Sequence, residues 1–360
     1  MHPHDLGDDR PAAPPATATA SAPVSVPASV PASVPVSAPA SGAPDAPSDT
    51  AAVTRTFDAP GLHGVTFHEV RAGSILERLP GARRAPLERV VNPYLGCSHA
   101  CGYCFARTTR HRPGRGAAPD FDSQIVVKVN AAELLRRELA GPVPAGGHVA
   151  LGTRTDCYQQ AEAHYRLMPG ILAALGERAV PFSVLTKGTL ILRDLGLLRR
   201  AADAARVGVC VSVGSLDTGL WRALEPGTPP PAERLEACAA LTAAGVPCGV
   251  LMAPVIPFLG DSPVVLRETV RAAAEAGAVS VTPLVLHLRP GVRERFTAWL
   301  SEHHPRLVPR YEALYAGGSY APTWYQRRIT GKVHELADEY GCGPRRREAG
   351  RPARGRATVA

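Results

Sequence analysis

The chain has 360 residues and a formal net charge of +8. This length is more than one small domain needs and is sufficient for one large barrel. No run of about 18 apolar residues occurs, so the sequence predicts no membrane-spanning helix. The first residues lack the basic region and the apolar core of a secretory signal. We therefore expect a cytoplasmic protein.

The first sixty residues differ from the rest of the chain. They hold 12 of the 36 prolines, and residues 26–37 repeat a Val-Pro-x-Ser-type tetrapeptide in register. Proline at every fourth position is incompatible with both a helix and a sheet ladder. We predict a disordered tail over residues 1–60, a core domain over residues 61–342 and a second, Arg-rich disordered tail over residues 343–360.

The charge is unevenly distributed. Residues 1–60 carry six Asp and two Arg, and residues 343–360 carry six Arg and one Glu, which leaves +7 of the total for the residues between them. A basic body with an Arg-rich end is compatible with a nucleic-acid partner. The alternative is a general preference for arginine, since lysine occurs only three times.

Residues 90–92 predict a first strand, and a cysteine loop follows it. Cys97, Cys101 and Cys104 have the spacing C-x3-C-x2-C. Thiolates this close together can surround one inorganic centre, and four-iron clusters are normally held by four Cys thiolates. Three thiolates leave one iron with an open position, which is typical of a catalytic rather than a structural metal site.

The cysteine loop has two other interpretations. A disulfide with a spare thiol would require an oxidising compartment, for which the sequence gives no other sign. A structural zinc site needs four ligands, and His99 lies inside the tight loop, where a shared tetrahedron is awkward. The spacing after a strand therefore favours an iron–sulfur site.

The elements that follow alternate. A short helix is expected from about Ala106, with a break at residues 114–116, and residues 125–129 form a second apolar run. Asn130 is predicted to cap a helix over residues 131–140, with Glu133 as its capping-box partner. Residues 61–88 are expected to be short irregular pieces.

From there the alternation is regular. Strands are predicted at residues 148–151, 182–185, 207–213, 246–252 and 278–286, and helices at about 162–177, 190–204, 231–244 and 263–276. With the strand before the cysteines this makes six βα units and a parallel sheet. Right-handed crossovers leave a doubly wound sheet and a partial barrel as the alternatives.

In α/β barrels functional groups lie at the carboxyl ends of the strands. This rule selects Asp156, Cys157 and Tyr158 after the second strand, Lys187 after the third and Ser212 at the end of the fourth.

Other polar residues receive structural interpretations. Glu162 is interpreted as a charge at a helix start. Arg222, Glu225 and Arg234, around residues 226–229, predict an ion network that fixes a loop near the barrel mouth, with substrate contact as the alternative. Among the remaining cysteines, Cys210, Cys238 and Cys248 are predicted to be buried, and Cys342 to be exposed.

At the cysteine loop the sequence resembles the radical S-adenosylmethionine (SAM) superfamily, whose signature is C-x3-C-x-aromatic-C, with Tyr103 at the aromatic place. Residues 92–94 (Asn-Pro-Tyr) and 105–107 (Phe-Ala-Arg) resemble its spore-photoproduct-lyase-like (DNA repair photolyase-like) branch. The resemblance covers about residues 85–300. It implies an α/β fold with a partial (βα)6 TIM-like barrel.

The resemblance also implies an activity. A 4Fe-4S cluster on the three loop cysteines would bind SAM, and a reducing electron donor would drive its cleavage to a 5′-deoxyadenosyl radical that abstracts hydrogen from substrate. Lys187 and Ser212 are expected to hold SAM, and Tyr103 to line the adenine. Nucleic acid is the expected substrate. A protein or small-metabolite substrate, or a non-catalytic iron–sulfur protein, are the alternatives.

The sequence departs from photoproduct lyases at one position. Those enzymes place a hydrogen-relaying tyrosine after the third cysteine, where this chain has Phe105, whose ring has no hydroxyl. Cys157 is therefore predicted to return a hydrogen atom to the product radical, with Tyr158 as the alternative donor. The competing interpretation of Cys157 is a small residue that fills a turn.

Overall fold

The computed structural model describes residues 53–78, 89–108, 121–141 and 147–343. Most of the two predicted tails and the break predicted at residues 114–116 lie outside these residues. The predicted boundary at residue 60 is wrong, because Val53–Asp58 forms a strand that pairs with Thr66–Val70. Residues 61–88 are likewise not all irregular, since they contain two strands.

The strands, in chain order, are β1 (Val53–Asp58), β2 (Thr66–Val70), β3 (Leu76–Arg78), β4 (Arg89–Val91), β5 (Tyr94–Leu95), β6 (Gln124–Lys128), β7 (Val149–Leu151), β8 (Phe182–Thr186), β9 (Val207–Ser212), β10 (Cys248–Val255) and β11 (Val281–Val285). The α-helices are α1 (Ala131–Leu139), α2 (Ala161–Tyr165), α3 (Leu167–Glu177), α4 (Leu195–Ala204), α5 (Thr218–Leu224), α6 (Pro231–Ala243), α7 (Pro263–Glu275), α8 (Val292–His303), α9 (Val308–Leu314) and α10 (Thr323–Glu339).

The main sheet has the order β11-β10-β9-β8-β7-β4-β3. Its six parallel strands, β4 and β7 to β11, follow one another in chain order, and β3 adds an antiparallel edge. A doubly wound sheet would reverse direction at a switch point. The order of the parallel strands in this sheet never reverses, so each new strand is added on the same side, as in the wall of a barrel. The prediction of six βα units is confirmed.

A smaller sheet has the order β1-β2-β6-β5. It contains the second apolar run of the sequence, which is therefore not part of the barrel wall. Strand β5 pairs with β6 immediately before the cysteine loop. The small sheet thus carries the entry to that loop.

The two faces of the main sheet differ. Residues such as Val91, Val184 and Val209 join the hydrophobic core together with helix residues, so this face is turned towards the helices. Because side chains alternate along a strand, the other face lines the inside of the barrel. Some residues on this inner face are small, such as Ala150 and Gly208. We call this inner space the lumen; its partly accessible wall residues are Leu185, Cys210, Leu251, Thr282 and Leu284.

Several local predictions need correction. Asn130 does not cap α1; its side-chain amide instead exchanges two hydrogen bonds with the backbone of Ala72, at 2.9 and 3.0 Å. The helix predicted at 162–177 is broken at Arg166, where φ is +50°. Cys342 is buried rather than exposed, because the chain after α10 folds back onto the core.

Helices α8, α9 and α10 follow β11, in a region without predicted elements. Helix α10 packs against β11 and α7 and so covers the last strand of the sheet. Within the residues that the structure describes, no helix has both the length and the apolar character needed to cross a bilayer.

Candidate functional site

The cysteine loop is fixed at its entry by close backbone packing. Gly96 has φ of +86°, and a Cβ atom there would lie 2.6 Å from the carbonyl oxygen of Gln124. Only glycine tolerates both conditions. One residue further, the Cys97 amide donates to the Phe121 carbonyl at 3.0 Å. The first cysteine is therefore held against the small sheet.

The far side of the loop is held by the turn that ends α5. The Gly102 amide donates to the Leu224 carbonyl at 2.8 Å, and the Gly227 amide donates to the His99 carbonyl at 3.1 Å. A Cβ atom on Gly227 would lie only 2.1 Å from the Ser98 carbonyl oxygen. The backbone of the cysteine loop and that of the turn after α5 are therefore so close that no residue larger than glycine fits at position 227.

The three loop thiols are shielded from solvent. Cys97 and Cys101 are 7% and 8% exposed, and Cys104 is partly buried. Burial raises the pKa of each of these thiols. The eight cysteines are free thiols in the structure.

The chemistry of the donor set suits a cluster. Three free thiols lie on one short loop, and Cys thiolates are the ligands that hold four-iron clusters. The His99 Nδ1 atom lies 3.4 Å from Asp156 Oδ2, which ties the cysteine loop to the segment after β7.

Beside the thiols lies a group that we call the inner network: Tyr103, Lys187, Ser212, Glu225 and Arg234. The Lys187 ammonium donates to the Ser212 hydroxyl at 2.6 Å and to the Glu225 carboxylate at 3.2 Å. The Tyr103 hydroxyl donates to the same carboxylate, and its ring centroid lies 5.9 Å from Lys187 Nζ. The three residues that the sequence predicts for SAM are therefore neighbours.

The charges of the inner network compensate one another. Arg234 is 1% exposed and pairs with Glu225 at 2.5 Å. Burial alone would raise the pKa of Glu225, but the Lys187 and Arg234 cations outweigh it and hold that pKa at about 2. Two cations and one carboxylate give a net positive charge, so the network can accept the carboxylate of a ligand.

The network confirms the predicted ion pair around residues 226–229 and corrects its membership. Glu225 and Arg234 pair, whereas the Arg222 guanidinium lies 5.7 Å from the centroid of the Trp221 ring. The sequence predicts a loop-fixing role for Glu225 near the barrel mouth, with substrate contact as the alternative. In the sequence, Glu225 stands beside a Pro-Gly turn. That position by itself does not identify Lys187 as the partner of Glu225.

Asp156 connects the cysteine loop to the third parallel strand, β8. Its carboxylate faces His99 and accepts hydrogen bonds from the Lys187 amide and the Thr186 hydroxyl, both at 2.6 Å. These contacts fix the backbone from which the Lys187 side chain starts. The structure thus gives Asp156 a positioning role.

Cys157 and Tyr158 lie in the hydrophobic core. They are 0% and 1% exposed, and the Tyr158 hydroxyl donates to Asp194 at 3.1 Å. The catalytic roles proposed for them stay predictions, and this packing favours the interpretation of Cys157 as a buried, turn-filling residue. Cys210, predicted to be buried, instead lies partly accessible on the lumen face of β9.

Glu162 lies in the first turn of α2, which confirms its predicted place at a helix start. It is fully buried, accepts hydrogen bonds from the Tyr94 hydroxyl and the Leu167 and Met168 amides, and pairs with Arg193 at 2.5 Å. Its contacts join the segment before the cysteine loop to the break between α2 and α3. We interpret it as a structural anchor.

A cavity opens beside the inner network. Tyr103, Glu225 and Arg234 form one side of it, and the residues after β9 and β10 form the other. The remaining lining residues are Gly214, Ser215, Asp217, Leu220, Trp221, Leu224, Pro231, Pro254, Ile256 and Gly260. The cavity therefore lies at the carboxyl ends of the fourth and fifth parallel strands, where the strand-end rule expects a ligand.

Comparison with known proteins gives a consistent picture. The model of the Radical SAM superfamily matches residues 91–268. Uncharacterized protein Rv2578c of Mycobacterium tuberculosis (strain ATCC 25618 / H37Rv) is 46% identical over 288 residues, which are 80% of this chain and 85% of that protein. Uncharacterized protein MJ0683 of Methanocaldococcus jannaschii is 29% identical over 192 residues, 53% of this chain and 68% of that protein.

Among solved structures, the chain is similar to a mutant of spore photoproduct lyase with bound AdoMet and dinucleoside spore photoproduct. The TM-score is 0.58 at 16% sequence identity, over 76% of this chain and 78% of the other. A second spore photoproduct lyase mutant gives a TM-score of 0.57 at 14% identity, over 76% and 79%. At these identities the likeness concerns the fold, and it confirms the predicted partial barrel.

Proposed function

This chain belongs to the radical SAM superfamily, and on that premise we propose that it is an enzyme that uses a 4Fe-4S cluster and SAM to abstract hydrogen from a nucleic-acid substrate. Cys97, Cys101 and Cys104 would hold the cluster. The observation that carries the proposal is the contact of Lys187 with Ser212 and Glu225, directly beside the buried thiols. A buried, net positive network next to a three-cysteine loop is suited to an amino-acid ligand that binds an open iron.

The cluster and SAM, when bound, supply one-electron chemistry that generates a carbon-centred radical. The protein's own groups bind and orient. Lys187 offers its ammonium to a carboxylate, and Ser212 offers its hydroxyl beside it. Arg234 holds Glu225 in place while Lys187 exchanges that partner for the ligand. In a site shielded from water these charge contacts are stronger than at the surface.

Two observations support a nucleic-acid substrate. The residues between the two predicted tails carry a net charge of +7, which favours a polyanion. The fold is similar to that of a photoproduct lyase whose structure holds a dinucleoside photoproduct. A positive body attracts nucleic acid without sequence specificity.

The test begins with anaerobic reconstitution. The wild type should bind about four irons per chain and, with a strong reductant, should convert SAM to methionine and 5′-deoxyadenosine. Cys97→Ala, Cys101→Ala and Cys104→Ala should each lose both properties. Cys238→Ala, which removes a buried thiol outside the loop, serves as the control and should keep them. A full, SAM-responsive cluster in any loop variant would contradict the assignment.

Lys187 allows a second arm of the test. In reconstituted protein, Lys187→Gln should weaken SAM binding by about tenfold or more, because a hydrogen bond to a charged group contributes about 1.5–3 kcal/mol. Lys332→Gln is the matched control, since Lys332 lies on α10 and pairs with Glu335 at 3.1 Å. Equal SAM affinity in the two variants would remove Lys187 from the site.

A further inference from the structure

A second group of side chains lies on the other side of the cysteine loop. The Phe105 ring centroid is 5.5 Å from that of His287, and the His287 ring is 5.5 Å from that of Tyr320. The Arg289 guanidinium carbon lies 5.4 Å from the Phe105 centroid. We call Phe105, His287, Arg289 and Tyr320 the mouth group.

The mouth group spans the opening of the barrel. Phe105 follows the loop after β4, the first parallel strand, whereas His287 and Arg289 follow β11, the last one. These two strands are not hydrogen-bonded to each other, because β4 and β11 lie at opposite ends of the parallel strands. The ring contact therefore joins the two sides of the gap at the carboxyl ends of the strands, where barrels bind their ligands.

Two members of the group keep unused binding capacity. Among the described residues the Arg289 guanidinium has no carboxylate partner, and its one hydrogen bond is a long contact of 3.5 Å with the Tyr320 hydroxyl. His287 is 6% exposed, and no described atom is a hydrogen-bond partner of its Nδ1. Burial, and then the Arg289 charge, lower the pKa of His287 to about 4, so the imidazole is neutral at pH 7.

We propose that the mouth group is the substrate subsite for one nucleotide unit, with the base against the aromatic rings and the phosphate at Arg289. The proposal rests on the nucleic-acid substrate of the proposed function. Proteins bind unstacked bases on Phe, Tyr and His rings and on the plane of Arg. The guanidinium fork matches a phosphate, and the His287 Nδ1 can form a hydrogen bond with a base edge. An acidic peptide would use the cation alone and leave the rings and the imidazole without a role.

The experiment measures binding of a single-stranded thymidine 12-mer to the full-length, reconstituted protein over a range of salt concentrations. Arg289→Gln should weaken binding by about tenfold and reduce the slope of log affinity against log salt by about 0.7, the value for one phosphate contact on a single strand. Phe105→Leu should weaken binding by about fivefold or more, with an unchanged slope, because base stacking does not release counterions.

Two further variants separate recognition from structural effects. Arg271→Gln removes the same charge from an exposed position on α7, where the side chain contacts Glu275, and should change affinity less than twofold. Arg289→Lys should restore the salt slope but only part of the affinity, since lysine keeps the charge without the fork. Iron content and unfolding temperature verify that each variant is intact.

The outcomes distinguish this inference from the proposed function. If the 12-mer binds and neither Arg289→Gln nor Phe105→Leu changes its affinity or slope relative to Arg271→Gln, the mouth group is not the subsite, and the nucleic-acid proposal stands. If the 12-mer does not bind the wild type while SAM is still cleaved, the nucleic-acid substrate is wrong and this inference with it.

Discussion

Two groups of side chains flank Cys104, and they differ in how their polar atoms are used. Tyr103, one residue before that cysteine, joins the inner network, in which the buried carboxylate of Glu225 has two cationic partners. Phe105, one residue after it, joins the mouth group, in which Arg289 has no carboxylate among the described residues. In the inner network the charged side chains are therefore paired with one another. In the mouth group the Arg289 guanidinium lacks such a partner among the described residues, so it is available to the proposed ligand.

The largest expected effect tests the compensation of charge in the inner network. Glu225→Gln leaves Arg234 and Lys187 buried without their anion, so we expect the free energy of unfolding to fall by about 3–5 kcal/mol, as when one member of a buried pair is removed. Chemical denaturation measures this fall. Glu236→Gln, on the exposed side of α6, is the control and should change stability by less than about 0.5 kcal/mol. Similar values for both variants would mean that the network is not a structural unit.

The next effect concerns His287 in the mouth group. Its folded pKa of about 4 lies below the ordinary value of about 6.5, so the unfolded state binds a proton first as the pH falls. Its contribution to stability is complete above about pH 6.5 and is lost as the pH falls towards 4, by at most about 3 kcal/mol. His287→Phe should make the unfolding free energy less dependent on pH in this window. Parallel curves for wild type and variant would contradict the buried, neutral imidazole.

A smaller effect is expected for the hydroxyl of the inner network. Tyr103→Phe removes the donor to Glu225 but keeps the ring, so we expect a loss of about 1 kcal/mol of stability, the usual net value of one hydrogen bond. Tyr320→Phe is a comparison from the mouth group, where the hydroxyl makes only a long contact with Arg289. A greater loss in Tyr320→Phe than in Tyr103→Phe would reverse the contrast between the two groups.

The smallest effect on stability is expected for Arg289 in the mouth group. Arg289→Gln should change the unfolding free energy by less than about 0.5 kcal/mol, because no described carboxylate loses its partner. Thermal unfolding of the protein without nucleic acid measures this change. A destabilisation of 2 kcal/mol or more, on the scale of a buried pair, would mean that Arg289 serves the fold, and would weaken its assignment to ligand binding.

Much of the site follows from local sequence and one topological rule. The spacing of the cysteines indicates the loop without any structure. Lys187 and Ser212 were found because parallel strands end at one edge of the sheet, so that residues far apart in sequence share that edge. The structure adds the atoms through which they meet, the ammonium of one and the hydroxyl of the other.

Other features depend on contacts that no local pattern carries. Asn130 has the sequence signature of a helix cap, but its amide pairs with the backbone of Ala72, which is distant in the chain. Strand β1 follows directly on the proline-rich region, and only its pairing with β2 identifies it as a strand. His287 and Tyr320 meet through a backbone bridge between segments on either side of α8 and α9.

The backbone contact at Gly227 has a consequence for how the protein is assembled. The cysteine loop is held at Gly96 by the small sheet and at Gly227 by the turn after α5, through contacts between protein backbones. In zinc fingers the free energy of metal binding is the free energy of folding. Because backbone contacts hold this loop at both ends, we expect the proposed cluster to be delivered to an already folded apoprotein. Removal of iron from reconstituted protein should then leave the barrel folded.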